Sequence, residues 1–256
     1  MKKVFSLLFI LLPLASCQKE DATPAPEADV AFVSIRNFET KSQIGTDAVL
    51  TWSEEDKLAV FGDADYTPSE FTYRSGAGYT TAAFGGRKPA GETFIICHPS
   101  DSRCDGITFR GILDTKVSHK MPSQILGSLP MWGKTDDLSK VTLTGVCGIL
   151  RLSMKGSCKL SSITLDAGRP VSGEFLCSLE DGLFAMIGGA KIIYMETNGV
   201  EIVPSEATSF YFVLPPGEYE SMKVNLTDIE GEVSYLTLED AFVIEPGVFT
   251  SVSLDL

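Results

Sequence analysis

Leu150-Arg151-Leu152-Ser153-Met154-Lys155 alternates apolar and polar residues without interruption. A period of two places the apolar side chains on one face of an extended strand and the polar side chains on the other. The same alternation occurs at residues 223–227 and 248–256, and in the second stretch it assigns Phe249 to the polar face. These patterns predict an all-β fold.

Two further stretches, residues 94–97 and 210–214, are apolar throughout, which is typical of strands covered on both faces. Glycine-containing turn signals such as Asn198-Gly199 recur between the apolar stretches. Strands that follow one another about every 8–12 residues are typical of sandwiches and barrels. We therefore predict two β-sandwich domains in series, at residues 30–142 and 143–256, with a long, less regular connection at residues 121–140.

The N-terminus has the pattern of an export signal. Residues 1–16 combine two early lysines with an apolar run from Val4 to Leu14. That run is shorter than the roughly 20 apolar residues that a membrane-spanning helix needs, so it predicts a cleaved signal peptide. Leu14-Ala15-Ser16-Cys17 resembles a bacterial lipobox, which predicts acylation (diacylglycerol and palmitate) of Cys17. Residues 17–29 are then a lipidated tether.

The tether and the net charge indicate where the protein is located. Gln18-Lys19-Glu20-Asp21 resembles the signal that sends Bacteroidetes lipoproteins to the outer face of the outer membrane. Acyl chains anchor a protein by about 0.8 kcal/mol per buried methylene. The formal net charge of −13 disfavours nucleic-acid binding, because phosphates are also anionic. We expect a surface-exposed lipoprotein held on the outer membrane.

Residue types that support catalysis are sparse. The chain has only two histidines; we expect His98 in a loop and His119 exposed. Neighbouring strand residues point to opposite faces, so Cys97 and His98 do not form a catalytic pair if the strand continues. Cysteine spacings typical of zinc sites are absent, and no catalytic residue, metal site or cofactor is predicted. The protein is predicted not to be an enzyme.

Three features leave alternatives open. Cys97 and Cys104 flank a short polar loop and either form a disulfide or remain small core residues. Residues 228–232 resemble the start of a calcium loop but are interpreted as a hairpin turn, since a strand pattern follows. Trp52 and Trp132 either stack on a sugar or fill the core.

Several motifs occur in the order found in the fimbrillin-like family of Bacteroidales, which includes fimbrial subunits and their accessory proteins. The resemblance covers nearly the whole mature chain. Its main stretches are Trp52–Phe61, Phe94–Pro99, Leu129–Lys134, Leu214–Tyr219 and Glu245–Phe249.

The resemblance implies two transthyretin-like β-sandwich domains, a lipidated precursor, and a role in fimbriae or cell adhesion. Family subunits assemble by strand exchange: a protease removes the first strand after a basic residue, and a neighbour donates a replacement. Here the first strand is at residues 30–35. Arg36 is the predicted processing site, and Lys41 is the next candidate.

One departure from the family pattern concerns the position in a fimbria. Residues 248–256 have the pattern of an ordinary closing strand, and no further donor segment follows. This favours an anchor, cap or tip component over a stalk subunit. A non-polymerising surface adhesin and a surface glycan-binding lipoprotein, the latter using Trp52 or Trp132, are the alternatives.

Overall fold

The computed structural model describes residues 29–36, 39–40, 49–121 and 124–256. Apart from a short 3-10 helix at Leu126–Ser128, every regular element in these residues is a β-strand, which confirms the all-β prediction. No helix among them is long and apolar enough to cross a bilayer. The strands are β1 (Asp29–Ile35), β2 (Glu39–Thr40), β3 (Lys57–Gly62), β4 (Pro68–Ser75), β5 (Thr81–Gly86), β6 (Phe94–His98), β7 (Arg103–Cys104), β8 (Thr108–Leu113), β9 (Lys116–Ser118), β10 (Met131–Thr135), β11 (Val141–Gly145), β12 (Gly148–Lys155), β13 (Cys158–Asp166), β14 (Gly173–Ser178), β15 (Phe184–Met186), β16 (Ile192–Ile202), β17 (Thr208–Leu214), β18 (Gly217–Tyr219), β19 (Met222–Asp228), β20 (Val233–Leu238), β21 (Phe242–Ile244) and β22 (Val248–Asp255).

A closed seven-stranded sheet is formed by strands from the first part of the chain, in the order β1-β11-β10-β6-β3-β4-β5. β5 pairs with β1 and completes the closure. Closure leaves no free edge, and the inward side chains pack against one another. β6 pairs with β10 and β3 in this sheet, and all five of its residues are buried, as the apolar pattern at 94–97 predicted.

Two open sheets enclose a second core. One has the order β17-β12-β22-β2, and the other has the order β20-β19-β13-β16-β9. Their inward residues form a hydrophobic cluster that includes Leu152, Ile163, Phe212 and Val224. Leu150, Leu152 and Met154 are fully buried on β12, as the alternation at 150–155 predicted.

Strands from the two halves of the sequence share sheets. β8 pairs with β14, β9 pairs with β16, and β2 pairs with β22. The four-stranded sheet β15-β14-β8-β7 therefore contains both halves, and β18-β21 forms a separate two-stranded sheet. Residues 142 and 143 lie within β11. The tandem two-domain arrangement with a boundary between them stays a prediction.

Three details of the sequence interpretation are corrected. Phe249 is 1% exposed rather than on a polar face, because its ring packs near Tyr211, with the ring centroids 6.2 Å apart. β17 is an edge strand whose Tyr211 and Val213 remain half-buried, rather than a strand covered on both faces. Residues 121–140, expected to be an irregular connection, include β10, which pairs with both β6 and β11.

Candidate functional site

β1 completes the closed sheet by pairing on both of its sides. It is antiparallel to β5 from Asp29 to Ser34 and parallel to β11 from Val33 to Ile35. Just before the ladder with β11 begins, the Phe32 N–H also donates a hydrogen bond to the Leu138 carbonyl at 2.9 Å. Because sheet closure depends on β1, its removal would open the sheet between β5 and β11.

The side chains of β1 alternate strictly between the core and the surface. Ala31 and Val33 are fully buried and Ile35 is 6% exposed, whereas Val30 and Phe32 are 45% and 50% exposed. Three apolar side chains at alternate positions therefore occupy the core beneath this strand. A replacement strand would need small or medium apolar residues at the same spacing, because successive side chains point to opposite faces.

Arg36 follows β1 directly and has an exposed side chain. Its N–H donates to the Leu143 carbonyl at 2.9 Å, so the chain is still held against β11 at this residue. Cleavage after Arg36 would separate β1 from the rest of the chain. The other predicted modification sites, Cys17 and Lys41, lie outside the described residues.

Trp52 lies in the core and is 1% exposed. Its ring meets Phe84 edge-to-face at 4.9 Å and His98 at 5.5 Å, measured between centroids. Of the two alternatives for Trp52, the structure supports core packing, because a buried ring offers no free face to a sugar. Trp132 on β10 is half-buried, and its suggested role in glycan binding stays a prediction.

Asp56 and His98 form a buried polar pair that the sequence interpretation missed. Oδ1 of Asp56 lies 3.5 Å from Nε2 of His98, while Oδ2 accepts a hydrogen bond from the Ser53 N–H at 2.7 Å. Nδ1 of His98 lies 3.0 Å from the Leu129 carbonyl. A carbonyl oxygen only accepts, so Nδ1 carries the proton in this contact. The pair joins the turn before β3 to the end of β6.

The pair also affects the pKa of Asp56. Burial alone would raise this pKa, but hydrogen bonds from His98 and from the Ser53 N–H outweigh it, and the pKa lies below its ordinary value. The signal in the sequence was the position of Asp56, the last acid of Glu54-Glu55-Asp56, directly before the buried strand β3. Nothing in the local pattern indicated His98 as its partner.

A cavity of about 770 Å³ lies beside the pair. It is lined by both histidines and by charged side chains that include Glu54, Glu55 and Lys120. His119, expected to be exposed, is half-buried: its Nε2 lies 3.2 Å from the Ser209 carbonyl. The cavity can accept a polar group, but within the described residues no hydroxyl or thiol is hydrogen-bonded to either imidazole.

The acidic and cysteine clusters have structural roles. Asp228 Oδ1 accepts hydrogen bonds from the N–H groups of Glu230 and Glu232, both at 2.9 Å, so residues 228–232 form a hairpin turn. Cys97 and Cys104 are free, buried thiols, and burial raises the pKa of Cys97 well above its usual value. No group of three or more potential metal ligands occurs in the part of the chain that the structure describes.

No family model matches the sequence, and no curated protein is significantly similar to it. Solved structures do match. A Bacteroides ovatus protein described as a "putative cell adhesion protein" superimposes with a TM-score of 0.56 at 11% identity, covering 89% of this chain and 93% of its own. A Bacteroides uniformis protein with the same description gives a TM-score of 0.50 at 12% identity, covering 89% and 94%.

The chain has the fold of these Bacteroides proteins. The likeness covers 89% of this chain and more than 90% of each matched chain. It supports the resemblance to the fimbrillin-like family at the level of the fold.

Proposed function

We propose that this chain is a cell-surface adhesion protein of the fimbrillin-like type, a component or accessory of fimbriae. In this proposal Cys17 carries the acyl chains that hold the protein on the outer membrane, facing outward. Its partners are other fimbrial subunits, which it contacts by strand exchange. The shared fold supports an adhesion role, and the placement of β1 supports the mechanism.

The observation that carries the proposal is that β1, the first strand of the described residues, closes a sheet. Cutting after Arg36 would free β1 while leaving β5 and β11 in place. The opened sheet would then present unpaired backbone N–H and C=O groups together with the apolar sites left by Ala31, Val33 and Ile35. An incoming strand would pair with these backbone groups and fill these apolar sites, which is the physical basis of strand donation. Lys41 is the second candidate for cleavage.

The position in a fimbria is proposed to be an anchor, cap or tip. β22 is hydrogen-bonded in parallel to β12 along its length and to β2 at its start. A strand that is paired with β12 along its length cannot be donated to a neighbour without breaking its own sheet. The chain can therefore receive a strand at the β1 position but does not offer β22 in return.

The domain organisation that accompanies this function is a signal peptide at 1–16, a tether at 17–29, and transthyretin-like sandwiches at 30–142 and 143–256. The two separate hydrophobic clusters support two folding units. The shared sheets, such as β8 with β14, indicate that any two such units pack closely.

Binding rather than catalysis is the proposed activity. The matched solved proteins carry the description of cell adhesion proteins. Among the described residues, no hydroxyl or thiol that could act as a nucleophile is hydrogen-bonded to the imidazole of His98, which forms the buried pair with Asp56. In the alternative of a glycan-binding lipoprotein, Trp132 is the remaining candidate for stacking on a sugar, because Trp52 is buried.

Mass spectrometry of the N-terminus of protein from native membranes tests the proposal. We expect an acylated Cys17 terminus on the precursor and a terminus at Asn37 on protein assembled into fimbriae. Arg36→Ala should abolish the Asn37 terminus and reduce assembly, whereas Arg103→Ala, also at an exposed arginine, should change neither. A precursor terminus at residue 17 without acyl groups, or normal fimbriae and attachment after deletion of the gene, would contradict the proposal.

A further inference from the structure

β20 is the edge strand of the five-stranded sheet, and its pairing with β19 determines which backbone groups face outward. The Asp228 N–H donates to the Glu232 carbonyl at 3.0 Å, so residues 228 and 232 are a hydrogen-bonded pair. Such pairs alternate along an antiparallel ladder. In the observed register Ser234 and Leu236 therefore bond to β19, whereas Val233, Tyr235 and Thr237 direct their N–H and C=O groups away from it.

These outward groups face solvent. Val233 is 43% exposed, Tyr235 is 75% exposed, and Thr237 is also exposed. Within the described residues no backbone or side-chain group bonds to the free side of β20. Three N–H and three C=O groups thus form a regular row along an open edge, as in sheets that accept an additional strand.

β20 also lacks the features that usually protect an edge. Its sequence, Val-Ser-Tyr-Leu-Thr-Leu, contains no charge, proline or glycine, and its register with β19 has no bulge. Such a strand accepts another strand readily.

The other strands at the ends of the sheets in the described part of the chain are short or covered. β2, β7, β9, β15, β18 and β21 have only two or three residues each. β17 is longer, but His119 bonds to its Ser209 carbonyl and residues 113–120 lie beside it. Because β2 pairs only with residues 248–249 and β9 only with residues 194–196, parts of β22 and β16 are also unpaired on one side. Among the described sheet-end strands of more than three residues, β20 is the one that is open along its whole length.

Charge at the two ends of β20 indicates the kind of partner. Glu230 and Glu232 precede the strand, Glu239 and Asp240 follow it, and all four are exposed. No ion pair among the described residues involves them. A partner with lysine or arginine on both sides of a short β-forming centre would meet opposite charge at both ends.

A second copy of this chain is a poorer fit. Antiparallel pairing of two β20 strands about Tyr235 would place Glu230 of one copy opposite Asp240 of the other, at both ends of the ladder. Like charges directly opposite each other destabilise a strand pair. The charge pattern thus disfavours self-pairing and favours a basic partner.

We propose that the free edge of β20 binds an extended segment of another protein by strand addition. The segment has about six residues of high β-propensity and basic residues at both ends. Its backbone bonds to Val233, Tyr235 and Thr237, and its basic ends pair with the acids that flank β20. This site is on a different sheet from β1 and functions whether or not β1 is exchanged.

Fluorescence anisotropy with a labelled Lys-Val-Thr-Val-Thr-Val-Lys peptide tests the proposal on the mature chain carrying Cys17→Ser. We expect saturable binding that weakens at high salt. Binding should be at least tenfold weaker when the terminal lysines are replaced by glutamates, or when the central valine is replaced by proline. Absence of binding, or equal binding of all three peptides, would overturn the proposal.

Thr237→Pro tests the site from the side of the protein, because proline removes the outward N–H of residue 237 without breaking a hydrogen bond between β20 and β19. We expect at least a tenfold loss of binding, with Thr237→Val as the control that keeps the N–H and binds normally. Should the proline variant fold poorly, the charge reversal Glu232→Lys with Glu239→Lys serves instead. This double variant should bind the glutamate-flanked peptide more tightly than the lysine-flanked peptide. Tighter binding of the lysine-flanked peptide, as in the wild type, would refute the charge argument.

Amide hydrogen exchange locates the peptide. The amides of Val233, Tyr235 and Thr237 should exchange more slowly in the presence of the lysine-flanked peptide, while those of Ser234 and Leu236, already bonded to β19, should change less. Protection elsewhere without protection here would overturn the assignment. So would a concentration-dependent dimer that Thr237→Pro dissociates, since it would show that the edge binds a second copy.

Discussion

Oδ1 of Asp56 lies 3.5 Å from Nε2 of His98 in the interior of the protein, where both side chains are at most 5% exposed. Burying a carboxylate is costly unless hydrogen bonds compensate for the lost water. Here the imidazole and the Ser53 N–H provide them. The pair therefore fixes the turn before β3 against the end of β6, within the sheet that β1 closes.

We expect Asp56→Asn to lower the free energy of unfolding by about 1–3 kcal/mol at neutral pH, because a buried charge-assisted contact is lost. The pKa of Asp56 is lower in the folded state than its ordinary value of 3.8. The unfolded chain thus binds a proton more readily, and the stabilisation is complete above this ordinary pKa. It is lost as the pH falls through the lower folded pKa.

Urea unfolding of wild type and Asp56→Asn at several pH values measures this difference. Glu55→Gln is the control, since Glu55 is an exposed neighbour and its substitution should change stability by less than about 0.5 kcal/mol. Equal stability of the two variants at neutral pH would contradict the role given to the pair.

The alternation of β1 predicts a contrast between two valines of the same strand. Val33→Ala should destabilise the protein by about 2 kcal/mol, because it removes two buried methyl groups and leaves a cavity. Val30→Ala should cost much less, since Val30 is 45% exposed and Val33 is fully buried. Thermal or urea unfolding measures both, and equal losses would show that β1 is not inserted in this register.

Tyr219 provides a test of the turn that precedes β18. Its hydroxyl donates to the Pro215 carbonyl at 2.8 Å in a buried position, and burial raises its pKa. Tyr219→Phe should cost about 1–3 kcal/mol, because the carbonyl loses its partner. Tyr235→Phe at the exposed edge should be within about 0.5 kcal/mol of wild type. A neutral Tyr219→Phe in urea unfolding would rule out this contribution.

Thiol reactivity should follow burial. Cys158 is half-buried, whereas Cys97, Cys104, Cys147 and Cys177 are buried. Burial raises the pKa of Cys147 well above its usual value and that of Cys177 to about 11. Iodoacetamide at mildly alkaline pH should therefore label Cys158 before Cys147 and Cys177 in the native protein, as peptide mass spectrometry would show. All five should react in urea, and early native labelling of Cys147 would contradict the packing.

Much of the local structure could be predicted from residue patterns. The alternation at 150–155 identified β12 and its buried face, and the apolar stretch at 94–97 identified the buried strand β6. The same reasoning misplaced Phe249 on a polar face, because alternation describes one strand and not what packs against it. It also missed β10, whose Trp132-Gly133-Lys134 segment has no clear period.

The candidate site could be predicted only in part. The position of the first strand and of Arg36 followed from the pattern and the family resemblance, and β1 is indeed a strand that ends just before Arg36. His98 was assigned to the wrong environment, and the sequence left the core and a sugar-binding surface as alternatives for Trp52. Their burial depends on Phe84 and Asp56, which are distant in the sequence and leave no local signal.

The sequence by itself determined that this protein is built of β-strands and which side chains of most strands face inward, because a period of two is a local property of an extended chain. Only the tertiary structure decided which strands pair, such as β8 with β14 and β9 with β16. It also decided that β1 closes a sheet while β20 remains open. These outcomes depend on contacts between distant segments, and a strand's own residues do not specify its neighbours.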